Sequence, residues 1–230
     1  ALSGALIIGL VFLVIVILTF VVFMERAQRR LIVQYPKRQV GNKIFGGDNS
    51  HLPLKLNTAG VIPPIFASSL LLMPITIANF STGEGGSFLN TITAMLGRGQ
   101  TLYMLIYAGL IVFFCYFYTA IVFNPSDTAD NLKKQGGFIP GIRPGEKTAE
   151  YIDFILSRLT VVGATYLVLV CLLPEFLISS YAVPFYFGGT SILIIVNVAM
   201  DTMTQFQGYL FAHQYEGLLK KSRLASRRKS

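Results

Sequence analysis

The sequence predicts an all-α fold, a polytopic bundle of five transmembrane helices. Three observations predict it. First, residues 1–24, 56–83, 99–126 and 176–200 contain no Asp, Glu, Lys or Arg, and a fifth apolar run from Leu159 to Pro174 is bounded by Arg158 and Glu175. Crossing a bilayer takes about 20 apolar residues at helical rise. These runs are continuous rather than alternating, so helices are expected and barrel strands are not. Second, 53% of the residues are hydrophobic and 13% charged, about half the charged share of roughly 25% in soluble domains. That excludes a large soluble enzyme. Third, the cations gather in alternate connections, the signature of loops retained on the cytosolic side.

The helices are expected at 4–24, 60–80, 101–123, 154–174 and 185–206. The first run opens the chain without a flanking charge, a basic leader or a small-residue cleavage site, so a longer protein with sequence upstream is expected. The connection 25–59 holds Arg26, Arg29, Arg30, Lys37, Arg38, Lys43 and Lys55. Its alternating tract Leu31–Tyr35, followed by Pro36 and later Gly46-Gly47, predicts a short hairpin. The second helix carries Pro63-Pro64, which removes two backbone donors, and Pro74. The pair is expected to bend the helix, either as part of a gate that moves or as a static kink. The connection 81–100 has one cation, Arg98. After the third helix, 124–153 holds Lys133, Lys134, Arg143 and Lys147. Gly136-Gly137 and the tract Phe138–Glu146, with Pro140, Gly141, Pro144 and Gly145, predict fixed turns with Arg143 at an exposed tip. A cation there suits docking on a partner; it equally marks the cytosolic side. The connection 175–184 has no cation. The tail, 215–230, holds Lys220, Lys221, Arg223, Arg227, Arg228 and Lys229. The charge pattern puts the N-terminus outside, and the loops 25–59 and 124–153 and the tail in the cytosol. Loops of about 30 residues exceed the 2–8 of simple helix connections and are expected to be functional or disordered.

Other signals carry little chemistry. The net charge of +8 resides in loops beside membrane spans, although contact of such loops with ribosomal RNA stays open. Cys115 and Cys171 lie in apolar runs on different helices and read as small hydrophobes. Asp201, the only acid well inside an expected span, falls near its cytosolic end, where hydration or pairing accounts for it. Asn79-Phe80-Ser81 matches a glycosylation sequon at the membrane edge. His51 and His213 have no metal-ligand spacing, and no phosphate loop, nucleotide fingerprint or nucleophile motif occurs. Neither enzymatic activity nor a cofactor or metal is expected, so directional transport must draw energy from a partner or the proton gradient.

Four tracts carry a family resemblance: Leu52–Ser69 (LPLKLNTAGVIPPIFASS), Tyr118–Pro125 with Ala129–Lys134, Gly141–Thr148 (GIRPGEKT) and Val183–Ser191. In this order they resemble the SecY family of bacterial protein-conducting channels, in its C-terminal half, helices six to ten. The resemblance implies one half of an inverted-repeat channel that passes unfolded secretory polypeptides across the bacterial inner membrane and releases hydrophobic segments sideways into lipid. It implies the channel's N-terminal half, SecE, SecG, the SecA motor or a translating ribosome, signal peptides, nascent chains and membrane lipids as partners. It matches Ile65 and Ile194 to a constriction ring of branched aliphatics, which excludes ions by dewetting. Pro63 and Pro64 then belong to a gate helix. Arg143, with Lys37, Arg38 and Lys43, docks the motor or ribosome, while Asn42 stands where a cation is frequent. The basic tail touches ribosomal RNA or anionic lipid, or only fixes topology. The competing expectation is half of a secondary transporter with a small-molecule site at the broken helix near Pro63. That would require polar groups converging at mid-membrane, and the sequence offers chiefly Asn197 and Ser68-Ser69.

Overall fold

The computed structural model describes residues 3–45, 47–80, 87–97, 100–181 and 189–227. Among the described residues, seven helices and four strands follow in order: α1 (Gly4–Arg26), β1 (Gln28–Gln34), β2 (Arg38–Val40), β3 (Lys43–Phe45), β4 (Asn49–Lys55), α2 (Ile62–Phe80), α3 (Ser87–Met95), α4 (Thr101–Val122), α5 (Pro125–Lys134), α6 (Glu146–Tyr181) and α7 (Gly189–Arg227). Four stretches among the described residues are long and apolar enough to cross a bilayer: Gly4–Arg26, Ile62–Phe80, Thr101–Lys134 and Glu146–Ser180. The fifth expected span, 185–206, is not among them. Residues 185–188 lie outside the described residues, Asn197 interrupts the apolar run Ile192–Met200, and Asp201 and Gln205 follow it. Arg98, Ser81 of the sequon, part of the Val183–Ser191 tract, and Arg228 and Lys229 also lie outside the described residues.

α1, α2 and α4 are apolar on all sides, and only part of each surface packs against other helices. α2 and α6 both lie against α4, while α7 touches α6 and α1. Their shared core holds Ala67 and Leu71 of α2, Tyr103, Tyr107 and Ile111 of α4, Tyr166, Leu167 and Val170 of α6, and Leu193 and Val196 of α7. Large apolar residues such as Phe12, Ile15, Met73, Phe113 and Leu169 stay exposed. In a soluble protein such surface would aggregate; against lipid or further helices it is the expected lining.

The first long loop is more ordered than the short hairpin expected from Leu31–Tyr35. β1 pairs antiparallel with β4, with Leu31 opposite Leu52, and β2 pairs with β3 at the tip. The all-α bundle therefore carries a small β appendage outside the spans. The third loop contains α5, opened by Pro125 behind Asn124, whose side chain accepts a bond from the Ser126 N–H at 3.1 Å. It closes at Gly136 (φ +77°), where the Gly136 and Gly137 N–H groups donate to the Lys133 and Leu132 carbonyls, a Schellman turn. α6 starts eight residues before the expected 154, and α7 runs on to Arg227.

Candidate functional site

Two features gather the sequence-predicted residues: a platform built from the two long loops, and the faces of α2 and α7 near their contact with α4.

The platform has a core of its own. Leu31, Val33 and Leu54 of the sheet pack with Leu132 of α5, Ile139, and Ile152, Ile155 and Leu159 of α6. Gln34 and Phe138 exchange backbone hydrogen bonds at 2.8 and 2.9 Å, so the third loop adds a bridge to the edge of β1. Gly137 permits that approach. A Cβ there would stand 2.9 Å from Tyr35 Cε1 and 3.1 Å from Val33 Cγ1, closer than side chains pack. Arg143 is exposed, in a loop where Gly141 and Gly145 adopt φ of +83° and +106° and the Thr148 hydroxyl donates to the Arg143 carbonyl at 2.8 Å. Lys37 and Lys43 are exposed on the hairpin. The side chain of Arg38 lies outside the described residues. Lys37 is three residues from Gln34 and Arg143 five from Phe138, so the bridge carries both cations on one body.

Pro63 and Pro64 are fully buried, and they do not interrupt a helix. α2 begins at Ile62, so both fall in its first turn, where the missing N–H groups would have had no intrahelical acceptor. The expected kink at this pair is thus a helix start. The interior proline is Pro74, whose absent N–H leaves the Leu70 carbonyl without its helical donor.

One turn into α2, a hydroxyl chain ties three helices. Ser68 Oγ donates to the Pro64 carbonyl at 2.9 Å and lies 3.1 Å from Tyr107 Oη, which lies 3.5 Å from Thr190 Oγ1. With the Ser68 proton committed, Tyr107 donates to Ser68 and Thr190 to Tyr107. This chain joins α2, α4 and the start of α7. α2 rises from the platform, whereas α7 descends toward it, with Met203 and Gln207 beside Val22 and Arg26 at the platform end of α1. From Ser68 to Ile65 is three residues toward the platform, and from Thr190 to Ile194 four. At 1.5 Å per residue these are about 4.5 and 6 Å, so each isoleucine lies about one turn of its helix from the hydroxyl chain, on the platform side. Each is 40% exposed.

Several features escaped sequence reasoning. Glu25, Asn57 and Tyr166 form a buried polar group: Asn57 Nδ2 donates to Glu25 Oε1 at 2.9 Å, and Tyr166 Oη to the same oxygen at 3.3 Å. Gly163 of α6 abuts the loop before α2, where a Cβ would collide with the Leu56 carbonyl oxygen. Spacing alone could reveal neither, since the partners lie 32 to 141 residues apart. Among the described residues, no group of three His, Cys, Asp or Glu could hold a metal. Asp201 and His213 are exposed on α7, and His51 on β4.

Comparison with known proteins places this architecture. The SecY family profile matches residues 2–203. Protein translocase subunit SecY of Rickettsia bellii is 57% identical over 211 residues, covering 92% of this chain and 48% of the relative. The Escherichia coli K12 protein of the same name is 57% identical over 213 residues, with coverage of 92% and 48%. The chain thus spans about half the length of the curated relatives it matches. In fold, it resembles a solved chain described as "The structure of a protein conducting channel" with TM-score 0.55 and 18% identity, over 84% of this chain and 47% of the other. A second, from work on the SecY plug domain and the closed state of the translocation channel, gives TM-score 0.57 and 19% identity, over 83% and 47%. With helices, platform and the α2–α4–α7 contact laid out in this order, the chain belongs to the SecY family.

Proposed function

We propose that this chain is the C-terminal half of the pore subunit of a protein-conducting channel. It passes unfolded polypeptides through a waist to which Ile65 and Ile194 contribute and releases hydrophobic segments beside α2. The supporting observation is the pair itself: two exposed branched aliphatics, each within about one turn of a hydroxyl chain that joins their helices through Tyr107. Such a surface binds no ion and dewets when narrow. The polar groups nearby, Ser68, Tyr107 and Thr190, bond to one another rather than converge on open space, which disfavours a small-molecule site near Pro63. Arg143, Lys37, Arg38 and Lys43 form the docking surface for SecA or a ribosome on the cytosolic side. SecE, SecG and the N-terminal half complete the assembly in the bacterial inner membrane, with the C-terminus of α7 in the cytosol.

The test is conductance of the complete channel in planar bilayers. Replacing Ile65 and Ile194 together by Ser hydrates the waist, and the resting ion leak rises severalfold; an unchanged leak removes both residues from the constriction.

A further inference from the structure

The segment that joins the platform to α2 is fastened at one point. β4 ends at Lys55; Leu56 N–H continues the sheet by donating to the Ala27 carbonyl at 3.2 Å, and Asn57 follows. Asn57 is 5% exposed, and its Nδ2 donates both to Glu25 Oε1 at 2.9 Å and to the Gly60 carbonyl at 3.3 Å. Gly60, at φ +69°, turns the chain into the first turn of α2. Two acceptors fix the amide's orientation, because a flip would set its oxygen against two others. Tyr166 of α6, 2% exposed, donates to the same Glu25 oxygen at 3.3 Å, and Gly163 one turn earlier lets the Leu56 backbone lie against α6. The one salt bridge among the described residues is Lys147–Glu150, so the direct partners of Glu25 are these donors, with the Lys55 charge acting on it only from a distance. Asn57 Oδ1 is buried without a partner, which offsets part of what the two donated bonds contribute and leaves the closure releasable.

We infer that Glu25 is a positioning residue for α2: a shared acceptor through which α1 and α6 hold Asn57, and with it the lead-in to α2, until displacement of the β1–β4 hairpin withdraws Asn57. The inference rests on the proposed channel only for what α2 does once free.

The test uses the complete channel in lipid nanodiscs, read by amide hydrogen exchange, and in planar bilayers, read by resting conductance. Glu25→Ala raises exchange across residues 57–68 by about tenfold or more while β1 and β4 keep native protection. Glu25→Gln, whose amide oxygen still accepts from Asn57 and Tyr166, stays within about twofold of native. If Glu25→Ala does not fold, Asn57→Ala and Tyr166→Phe each remove one donor and raise exchange over the same segment. Native exchange in these variants overturns the inference. So does equal loosening of the whole platform, which means general support rather than positioning, or failure of Glu25→Gln to restore protection. Raised exchange at 57–68 with unchanged conductance leaves the positioning role standing and removes α2 from the gate.

Discussion

At the scale of single residues, side chains with no charge and little size do much of the placing. Gly163 occupies a spot where the Leu56 carbonyl would meet any Cβ. Alanine there must push a backbone segment away from α6, and overpacking of this kind costs about 1–3 kcal/mol. Gly163→Ala is therefore expected to lower the thermal midpoint of the purified channel by several degrees, read by tryptophan-independent scanning calorimetry. The obvious control is Gly109, where a Cβ meets nothing within 4 Å and Ala is expected to be neutral. In the sequence, the two glycines look alike, each beside an alanine in an apolar run. Isoleucines 65 and 194 are proposed on the opposite ground: the family resemblance matches both, Ile65 inside the tract Leu52–Ser69 and Ile194 three residues beyond the one that ends at Ser191, although nothing in their own chemistry separates them from the apolar residues around them. Glu25 stood in plain view as the acid before Arg26, yet its partners are distant in sequence and only the fold brings them to it.

At the scale of elements, the apolar runs pointed to the long helices, because lipid leaves the backbone no alternative, but not to α3 and α5, which lie in the connections between runs. Their ends were less legible. α6 and α7 continue as polar helices beyond their apolar portions, where hydropathy no longer speaks. The proline pair misled in a definite way. Counting lost donors predicts a bend only if the donors were needed, and in a first turn they are not. The platform was half visible. Alternation in Leu31–Tyr35 announced a strand, but its partner β4 carries Pro53 and shows weaker alternation. The docking proposed above rests on the turn between α5 and α6, with Arg143 held at its tip through Thr148. Arg143→Glu reverses an exposed charge without touching the platform core, so folding is expected to be native. Motor-driven export into membrane vesicles is expected to fall at least tenfold, since a like charge opposite an acidic surface repels as strongly as the native one attracts. Export at the native rate would show that the cations only mark the cytosolic side.

At the scale of the whole molecule, two bodies share the chain: a bundle core around Tyr107 and Leu167, and a platform core around Val33 and Ile152. α6 belongs to both, with Ile152 in one and Leu167 in the other. On the topology proposed from the alternation of cations, the platform faces the cytosol. A membrane-impermeant maleimide is accordingly expected to modify Lys43→Cys in inverted vesicles and to leave it unmodified in intact spheroplasts. Cys115 and Cys171 are each 2% exposed, so the native thiols leave a low background. Modification from the outer face alone would invert the topology.

The bridge between Gln34 and Phe138 has a consequence for anyone who wishes to block this surface. A peptide copied from either loop by itself loses the other loop's half of the core and displays its cations on a floppy tether, at a large entropic disadvantage. A useful decoy has to span both segments, 28–55 and 125–143, stapled where the two backbones meet.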